Sequence, residues 1–202
     1  MKIILLIPIY NDRESLKKLI ENINFEVKDL NSEISVVVIN DASFQQIIDT
    51  YQNLENINSF EIINMKENRG HARCIASGLK YIFEKKEFDF VIPMDGDGED
   101  RPEEIKSFIQ LAEQTNDKSI VGERTKRSES LFFKICYQLH KLLTLGFTGH
   151  SIKFGNFTCL SKTTIKKMLN EKATWNSFSG SLKKVEKDLL SIPSIRGTRY
   201  FG

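Results

Sequence analysis

The chain has 202 residues, of which 40% are hydrophobic and 28% are charged, and its formal net charge is +2. This composition is typical of one globular domain with a real core, and it excludes low-complexity and fibrous proteins. No apolar run reaches the roughly 18 residues of a membrane-spanning helix, and three isolated cysteines favour a reducing cytoplasm over a disulfide framework.

The first 124 residues alternate between apolar runs and amphipathic segments. Continuous apolar runs predict buried strands, and apolar residues at helical spacing predict the helices between them. The strands are predicted at 2–10, 33–40, 60–65, 88–94 and 119–124, and the helices after a cap at Asp12, at 70–85 and from Pro102. Five alternations predict an α/β domain with a mainly parallel sheet.

The remaining residues give a weaker pattern. Residues 131–147 predict an apolar, basic helix, which is either a core helix or one that lies in a membrane interface. A strand is predicted at 153–162, followed by a basic helix from Lys162 to about Asn170 and a loop around Trp175. No element is assigned to residues 189–202.

Charge is divided unevenly along the chain. Residues 1–122 contain 14 Lys and Arg against 22 Asp and Glu, whereas residues 123–202 contain 15 against 5. The basic part indicates an anionic partner, such as phosphate or a membrane surface, unless its lysines form only a solvated face. Nucleic acid is disfavoured, because few aromatic residues lie among the basic ones and the acidic part would repel a polyanion.

The most informative segment is "DGDGED", residues 95–100, which directly follows the fourth predicted strand. Like charges this close repel, so the turn is either solvated or binds a cation. Gly96 and Gly98 allow a tight turn in which Asp95 and Asp97 point to one side. A hard divalent ion uses one or two carboxylates plus substrate phosphate oxygens, so the turn predicts a Mg²⁺ or Mn²⁺ site for a diphosphate.

Two other interpretations of this turn are weaker. A calcium-binding loop would need Gly at its sixth position and Glu at its twelfth, where this chain has Asp100 and Lys106. A solvated turn in which Asp100 caps the next helix explains Asp100, but it does not explain Asp95 and Asp97.

Five segments in order resemble the family-2 GT-A glycosyltransferases: "IPIYND", "VVVINDAS", "NRGHARCIASGL", "PMDGDGEDRPEEI" and "VGERTKR". The later "FGNFTCLSK" and "IRGTRYFG" look like the polyprenyl-phosphate branch, which is similar to dolichol-phosphate-mannose synthases and often carries C-terminal membrane helices. The resemblance implies a GT-A, Rossmann-like sheet flanked by helices. It also implies a nucleotide-sugar half at 1–122 and an acceptor-side part of the same domain at 123–202, which would precede a membrane segment.

The resemblance assigns roles to individual residues. Those expected to bind the nucleotide are Pro8, Tyr10, Asp12, Asp41, Arg69, Gly70 and Asp95. Asp95 and Asp97 would bind the metal, and Asp97, Glu99 and Arg124 would be catalytic. The family usually has Asp at the position of Asn40 and Gly at the position of Ala42, so the nucleotide base stays open between UDP and GDP types. His71 stands where the family often has Lys.

An expected catalytic group is missing from the basic part. Inverting transfer to a hydroxyl usually needs a carboxylate base, and the acids after Glu129, namely Glu171, Glu186 and Asp188, all lie in lysine-rich segments. A phosphate acceptor is already ionised and needs cations instead, for which Arg124, Arg127 and Arg199 are the candidates.

The sequence therefore predicts a metal-dependent glycosyltransferase that moves a sugar from a nucleoside-diphosphate sugar to a polyprenyl phosphate. We expect it in the cytoplasm, at the inner face of the cell membrane. The alternatives are a cytoplasmic enzyme that acts on a glycan hydroxyl in surface polysaccharide synthesis, and a non-catalytic nucleotide-binding module of the same fold.

Overall fold

The structure is a computed structural model that describes residues 1–47, 54–115, 117–126 and 153–201. The helix predicted at 131–147 and the candidate residue Arg127 lie outside the described residues. Among the helices within those ranges, none is both long enough and apolar enough to cross a bilayer.

Strands and helices alternate as the sequence predicts. The strands are β1 (Lys2–Ile9), β2 (Glu33–Asn40), β3 (Ser59–Asn64), β4 (Phe90–Pro93), β5 (Ile120–Lys126), β6 (Phe154–Ser161) and β7 (Leu190–Ile195). The helices are α1 (Arg13–Glu26), α2 (His71–Lys85), α3 (Ile105–Glu113), α4 (Lys162–Leu169) and α5 (Phe178–Val185). Short 3₁₀ turns occupy Pro102–Glu104 and Lys172–Trp175.

One seven-stranded sheet joins all the strands in the order β3-β2-β1-β4-β6-β5-β7. β6 runs antiparallel to both of its neighbours, β4 and β5, and every other adjacent pair is parallel. The predicted mainly parallel α/β sheet is therefore confirmed, and the carboxyl ends of β1, β2 and β4 meet at one edge.

The core has two apolar layers, one on each face of the sheet. Alternate residues of β1 point to opposite faces, so Ile3 and Leu5 pack in the layer that contains α1 and α3. Ile4 and Leu6 pack in the layer that contains α2, α4 and α5. Burial on both faces explains why β1 is an uninterrupted apolar run.

Two elements near the C-terminal end were not predicted. α5 is a short helix of eight residues in a lysine-rich segment, and it buries mainly Phe178 and Leu182. β7 contains Pro193, which argues against a central strand. Since β7 is the last strand in the sheet order and pairs only with β5 among the described strands, the missing N–H of this proline is tolerated.

Helix α2 packs unusually close to the sheet at Gly78. A Cβ at this position would lie 2.4 Å from Leu6 Cδ1 and 2.9 Å from Ile39 Cγ1, and both of these side chains are buried. Glycine therefore allows the approach that brings the start of α2 to the ends of β1 and β2.

Replacing Gly78 with alanine should destabilise the protein, although alanine is the better helix former by about 1 kcal/mol. Overpacking against Leu6 costs about 1–3 kcal/mol, so we expect a net loss in the free energy of unfolding measured by urea denaturation. Ser77→Ala, one position earlier in the helix and partly exposed, is the control and should not lose stability. A Gly78→Ala protein as stable as the parent would contradict this packing.

Candidate active site

Two adjoining cavities lie beyond the carboxyl ends of β1, β2 and β4. One has a volume of about 360 Å³ and is lined by Pro8, Ile9, Tyr10, Asp12, His71, Asp95, Gly96, Asp97, Asn156 and Arg199. The other, of about 240 Å³, is lined by Pro8, Ile9, Tyr10, Asp41, Asn68, Gly70, His71 and Cys74. The structure thus brings together most of the residues that the sequence assigned to nucleotide and metal.

Asp41 anchors the start of α2. Its carboxylate accepts hydrogen bonds from the backbone N–H groups of Arg69 and Gly70, both at 2.8 Å, and the residue is buried. Gly70 has a φ of 86°, a left-handed conformation that favours glycine. By contrast, the side chain of Arg69 is exposed and pairs with Glu67, and this arginine lines neither cavity.

Asn40, in the place of the family's usual aspartate, makes two side-chain hydrogen bonds. Its Nδ2 donates to Asn64 Oδ1 at 2.7 Å, and its Oδ1 accepts from the N–H of Ser43 at 3.1 Å. A carboxylate could not donate the first of these bonds. The amide therefore ties the ends of β2 and β3 together. Ala42, in the place of the usual glycine, has a left-handed φ of 57°.

Asp100 closes the acidic turn. The backbone N–H of Asp95 donates to Asp100 Oδ2 at 2.8 Å, and the following 3₁₀ turn, Pro102–Glu104, has Arg101 at its N-cap and no side-chain cap. The interpretation in which Asp100 caps the next helix does not hold. Burial, and then the charge of Asp95, raise the pKa of Asp100 to about 7.

One carboxylate oxygen of Asp95 faces a histidine. This atom, Oδ1, is buried and lies 3.3 Å from His71 Nε2. The same Nε2 is 2.7 Å from Asn156 Nδ2, so the tautomer of His71 decides which neighbour it hydrogen-bonds. Burial acts to raise the pKa of Asp95, but the contacts with His71 and Asn156 and the charge of Arg124 outweigh it and lower that pKa.

His71 was noted in the sequence only as a departure from the family pattern. Its pKa is raised, chiefly by the contact with Asp95. Asn156 lies in the "FGNFTCLSK" segment, but nothing in the sequence indicated that it would reach the acidic turn.

Asp97 faces a cation. Its Oδ2 lies 3.1 Å from Arg199 Nε, and its Oδ1 accepts from the N–H of Glu99 at 3.0 Å. Burial and the neighbouring Asp95 raise the pKa of Asp97, while Arg199 and Arg196 act to lower it. Glu99 pairs with Arg196 and also lies 3.7 Å from Arg199 Nε.

Residues 195–201 are hydrogen-bonded to the acidic turn. The N–H of Tyr200 donates to Asp97 O at 2.9 Å, and the N–H of Gly197 donates to Glu99 O at 2.8 Å. The Tyr200 hydroxyl accepts from Asn22 Nδ2 at 2.9 Å. Gly98, with a φ of 88°, lies directly under the Tyr200 ring, which a Cβ would approach to 2.6 Å.

The residues of the turn match a hard divalent ion that also binds a ligand. Asp95, whose buried Oδ1 has no hydrogen bond beyond its 3.3 Å contact with His71, and Asp97, two positions later, both line the larger cavity. Within the described ranges, no group of three or more His, Cys, Asp or Glu side chains could hold a metal ion. Ions of the Mg²⁺ class often take only one or two carboxylates and complete their shell with phosphate oxygens and water.

Of the predicted acceptor-side arginines, Arg124 and Arg199 lie within the described residues. Arg124 lies beside Gly155, where a Cβ would be 3.0 Å from Arg124 Nη2, and its charge acts on Asp95 and Asp100. The candidate bases considered in the sequence are all paired with lysines: Glu171 with Lys184, Glu186 with Lys167 and Asp188 with Lys118.

The family model described as "Glycosyl transferase family 2" matches residues 4–182 of this chain. The chain belongs to glycosyl transferase family 2. The five ordered segments that suggested the resemblance all lie within the matched range.

Relatives of this family-2 chain include several proteins named undecaprenyl-phosphate 4-deoxy-4-formamido-L-arabinose transferase. The one from Photorhabdus laumondii is 30% identical over 164 residues, which are 79% of this chain and 47% of the relative. The one from Serratia proteamaculans is 27% identical over 197 residues, which are 92% of this chain and 59% of the relative. This chain therefore spans about half the length of the curated relatives it matches.

Two solved structures share the fold. S. aureus TarS in complex with UDP-GlcNAc matches 100% of this chain and 60% of its own, with a TM-score of 0.65 at 15% identity. The mannosyltransferase PcManGT from Pyrobaculum calidifontis, in complex with GDP-Man and Mn²⁺, matches 99% of this chain and 58% of its own, with a TM-score of 0.65 at 14% identity. The predicted GT-A architecture is confirmed.

Asp100→Asn should stabilise the metal-free family-2 protein more at pH 8 than at pH 5. The pKa of Asp100 is raised to about 7 from 3.8, so ionising it in the folded state costs free energy. That cost grows between about pH 4 and pH 7 and stays constant above. Asparagine keeps an oxygen for the Asp95 N–H and removes the charge. Melting temperatures at the two pH values check this, and an equal gain at both would contradict it.

Proposed function

We propose that this protein is a metal-dependent glycosyltransferase that moves a sugar from a nucleoside-diphosphate sugar to a polyprenyl phosphate. The observation that carries the proposal is the pair Asp95 and Asp97 at the end of β4, both lining a cavity that also receives Arg199. Carboxylates for a divalent ion and a cation for a second anionic group lie within one cleft.

The donor would occupy both cavities. Its nucleoside fits the smaller one, between Tyr10 and Asp41, where a carboxylate can accept a hydrogen bond from a base N–H. Its diphosphate would lie toward the larger cavity, beside His71 and Asp95. A UDP or a GDP sugar is compatible with this description.

Asp95 and Asp97 would hold Mg²⁺ or Mn²⁺ against the donor diphosphate. When bound, such an ion acts as a Lewis acid that neutralises charge developing on the departing diphosphate. Asp100 keeps the turn closed through the Asp95 N–H, and His71 helps to keep Asp95 ionised. Glu99 is paired with Arg196 and would act through the placement of that arginine.

The acceptor would be a phosphate, since it needs no general base. A phosphate oxygen of the acceptor forms a bond to the anomeric carbon as the bond from that carbon to the diphosphate oxygen breaks, and no proton has to move. The described acids of the basic part are engaged with lysines, whereas Arg124 and Arg199 lie near the acidic turn. Arg127 is proposed for the same role on the strength of the sequence.

The relatives support a polyprenyl phosphate as this acceptor, because they are named as undecaprenyl-phosphate transferases. A lipid acceptor implies work at a membrane surface, and we propose the cytoplasmic face. The basic part of the chain, with 15 Lys and Arg against 5 Asp and Glu, would favour an anionic surface.

Purified protein should convert UDP or GDP sugars and undecaprenyl phosphate in detergent to a lipid-linked sugar when Mn²⁺ or Mg²⁺ is present, as detected by mass spectrometry. Asp97→Asn should lower the rate about a hundredfold or more, because the charge stabilisation that a metal provides is worth several kcal/mol. Asp117→Asn, on a distant loop, is the control. Transfer to a glycan hydroxyl but not to the lipid phosphate would favour the alternative enzyme. Absence of both transfer and donor hydrolysis would favour a binding module.

Arg199→Gln should raise the KM for the lipid phosphate about tenfold or more, because a charge-assisted contact to phosphate is lost. The affinity for the nucleotide, measured by thermal shift with UDP or GDP, should change much less. Arg101→Gln removes the same charge from the adjoining turn, where Arg101 pairs with Glu103, and should leave the KM unchanged. An unaltered KM in Arg199→Gln would remove Arg199 from the acceptor site.

A further inference from the structure

The arginine proposed to bind the acceptor contacts one of the two carboxylates proposed to bind the metal. Arg199 Nε lies 3.1 Å from Asp97 Oδ2 and 3.7 Å from Glu99 Oε1. Because Oδ1 of Asp97 already accepts the Glu99 N–H, Oδ2, which Arg199 contacts, is the oxygen left for the proposed divalent ion. A guanidinium and a dication cannot share one carboxylate oxygen at this distance without strong repulsion.

The contact is one that can be broken. The Arg199 side chain is 60% exposed, whereas that of Asp97 is 19% exposed. An exposed arginine in such a pair is held weakly, because water screens the attraction and side-chain entropy opposes it. The aspartate stays in place because its other oxygen accepts from the Glu99 N–H and its carbonyl from the Tyr200 N–H.

The backbone on both sides of Arg199 is fixed to the acidic turn. Gly197 and Tyr200 donate to the carbonyl oxygens of Glu99 and Asp97, and the Tyr200 hydroxyl is bonded to Asn22. Any displacement of the guanidinium is therefore a rotation of one long side chain above the cleft. The released group would remain beside the diphosphate site, which is where an acceptor phosphate must arrive.

We infer that Arg199 is an internal counter-ion of Asp97, which a divalent ion arriving with the donor displaces, so that the acceptor-phosphate contact forms only after the donor is loaded. This inference deepens the proposed function and rests on it for the identity of the two ligands. It makes metal and Arg199 competitors for one carboxylate, and it imposes an order on substrate binding.

The first test measures binding of Mn²⁺ alone, without donor or acceptor, by electron paramagnetic resonance of the free ion. Arg199→Gln should bind Mn²⁺ about three- to tenfold more tightly than the parent, because one competing charge has gone. Arg199→Lys keeps the charge and should bind it as the parent does. Arg101→Gln removes an equal charge from the adjoining turn and should also match the parent. Melting temperatures establish that each variant is folded.

A double variant shows whether the gain acts through Asp97. In Asp97→Asn the Arg199→Gln substitution should give no gain in Mn²⁺ affinity, since the carboxylate for which the two cations compete has been removed. The inference is overturned if Arg199→Gln and the parent bind Mn²⁺ equally. It is also overturned if Arg101→Gln produces the same gain, which would indicate a general electrostatic effect of removing one positive charge. A third contrary result would be that neither the parent nor Arg199→Gln binds Mn²⁺ at all.

The second test measures the order of binding with farnesyl phosphate, a short soluble polyprenyl phosphate. The parent should bind it at least about tenfold more tightly when Mn²⁺ and UDP or GDP are both present than when they are absent, and Arg199→Gln should lose most of this difference. Equal binding under both conditions would overturn the order. Failure of sugar transfer with a positive Mn²⁺ result would reject the proposed function and leave the counter-ion contact established.

Discussion

The repulsion among the carboxylates that follow β4 is the constraint on which the rest of the site depends. Asp100 is buried, and Asp95, Asp97 and Glu99 in the same turn are partly buried. Burial makes each charge more costly, as the raised pKa values of Asp97 and Asp100 show. The basic side chains that approach this turn come from three separate parts of the chain: His71, Arg124, and Arg196 with Arg199. The turn therefore organises contacts across the whole sheet edge.

The fold supplies the place where those contacts can occur. β1 is buried on both faces and lies between β2 and β4, so the loops that follow these strands emerge side by side. α2 approaches the sheet closely because Gly78 has no side chain, and this brings His71, at the start of the helix, to Asp95. A core feature more than one helical turn away thus sets the distance across the active cleft.

Local signals in the sequence were enough for the first five strands, for the cap at Asp12 and for Asp95, whereas the resemblance to the family indicated the cleft residues Tyr10 and Asp41. They were not enough for α5 and β7, which are short and contain lysines or a proline. α5 packs mainly against the preceding 3₁₀ turn and α4, whereas β7 pairs with β5, which is distant in sequence. The same limit applies to the site. Asn156 and Arg196 carry no local mark of their position, and Asp100 resembles a helix cap until the Asp95 N–H is seen to use it. Contacts between residues 60 to 100 positions apart can be read only from the folded chain.

The placement of Arg199 suits the proposed exchange between two anions. A rigid, buried salt bridge would compete too strongly with a metal, because breaking it would leave an unpaired charge inside the protein. A lysine or arginine with no fixed backbone would lose too much entropy on binding a phosphate. Arg199 avoids both problems: hydrogen bonds from Gly197 and Tyr200 fix its backbone, and the guanidinium itself is mostly exposed. The change from carboxylate to phosphate then needs only side-chain rotation and no movement of the sheet.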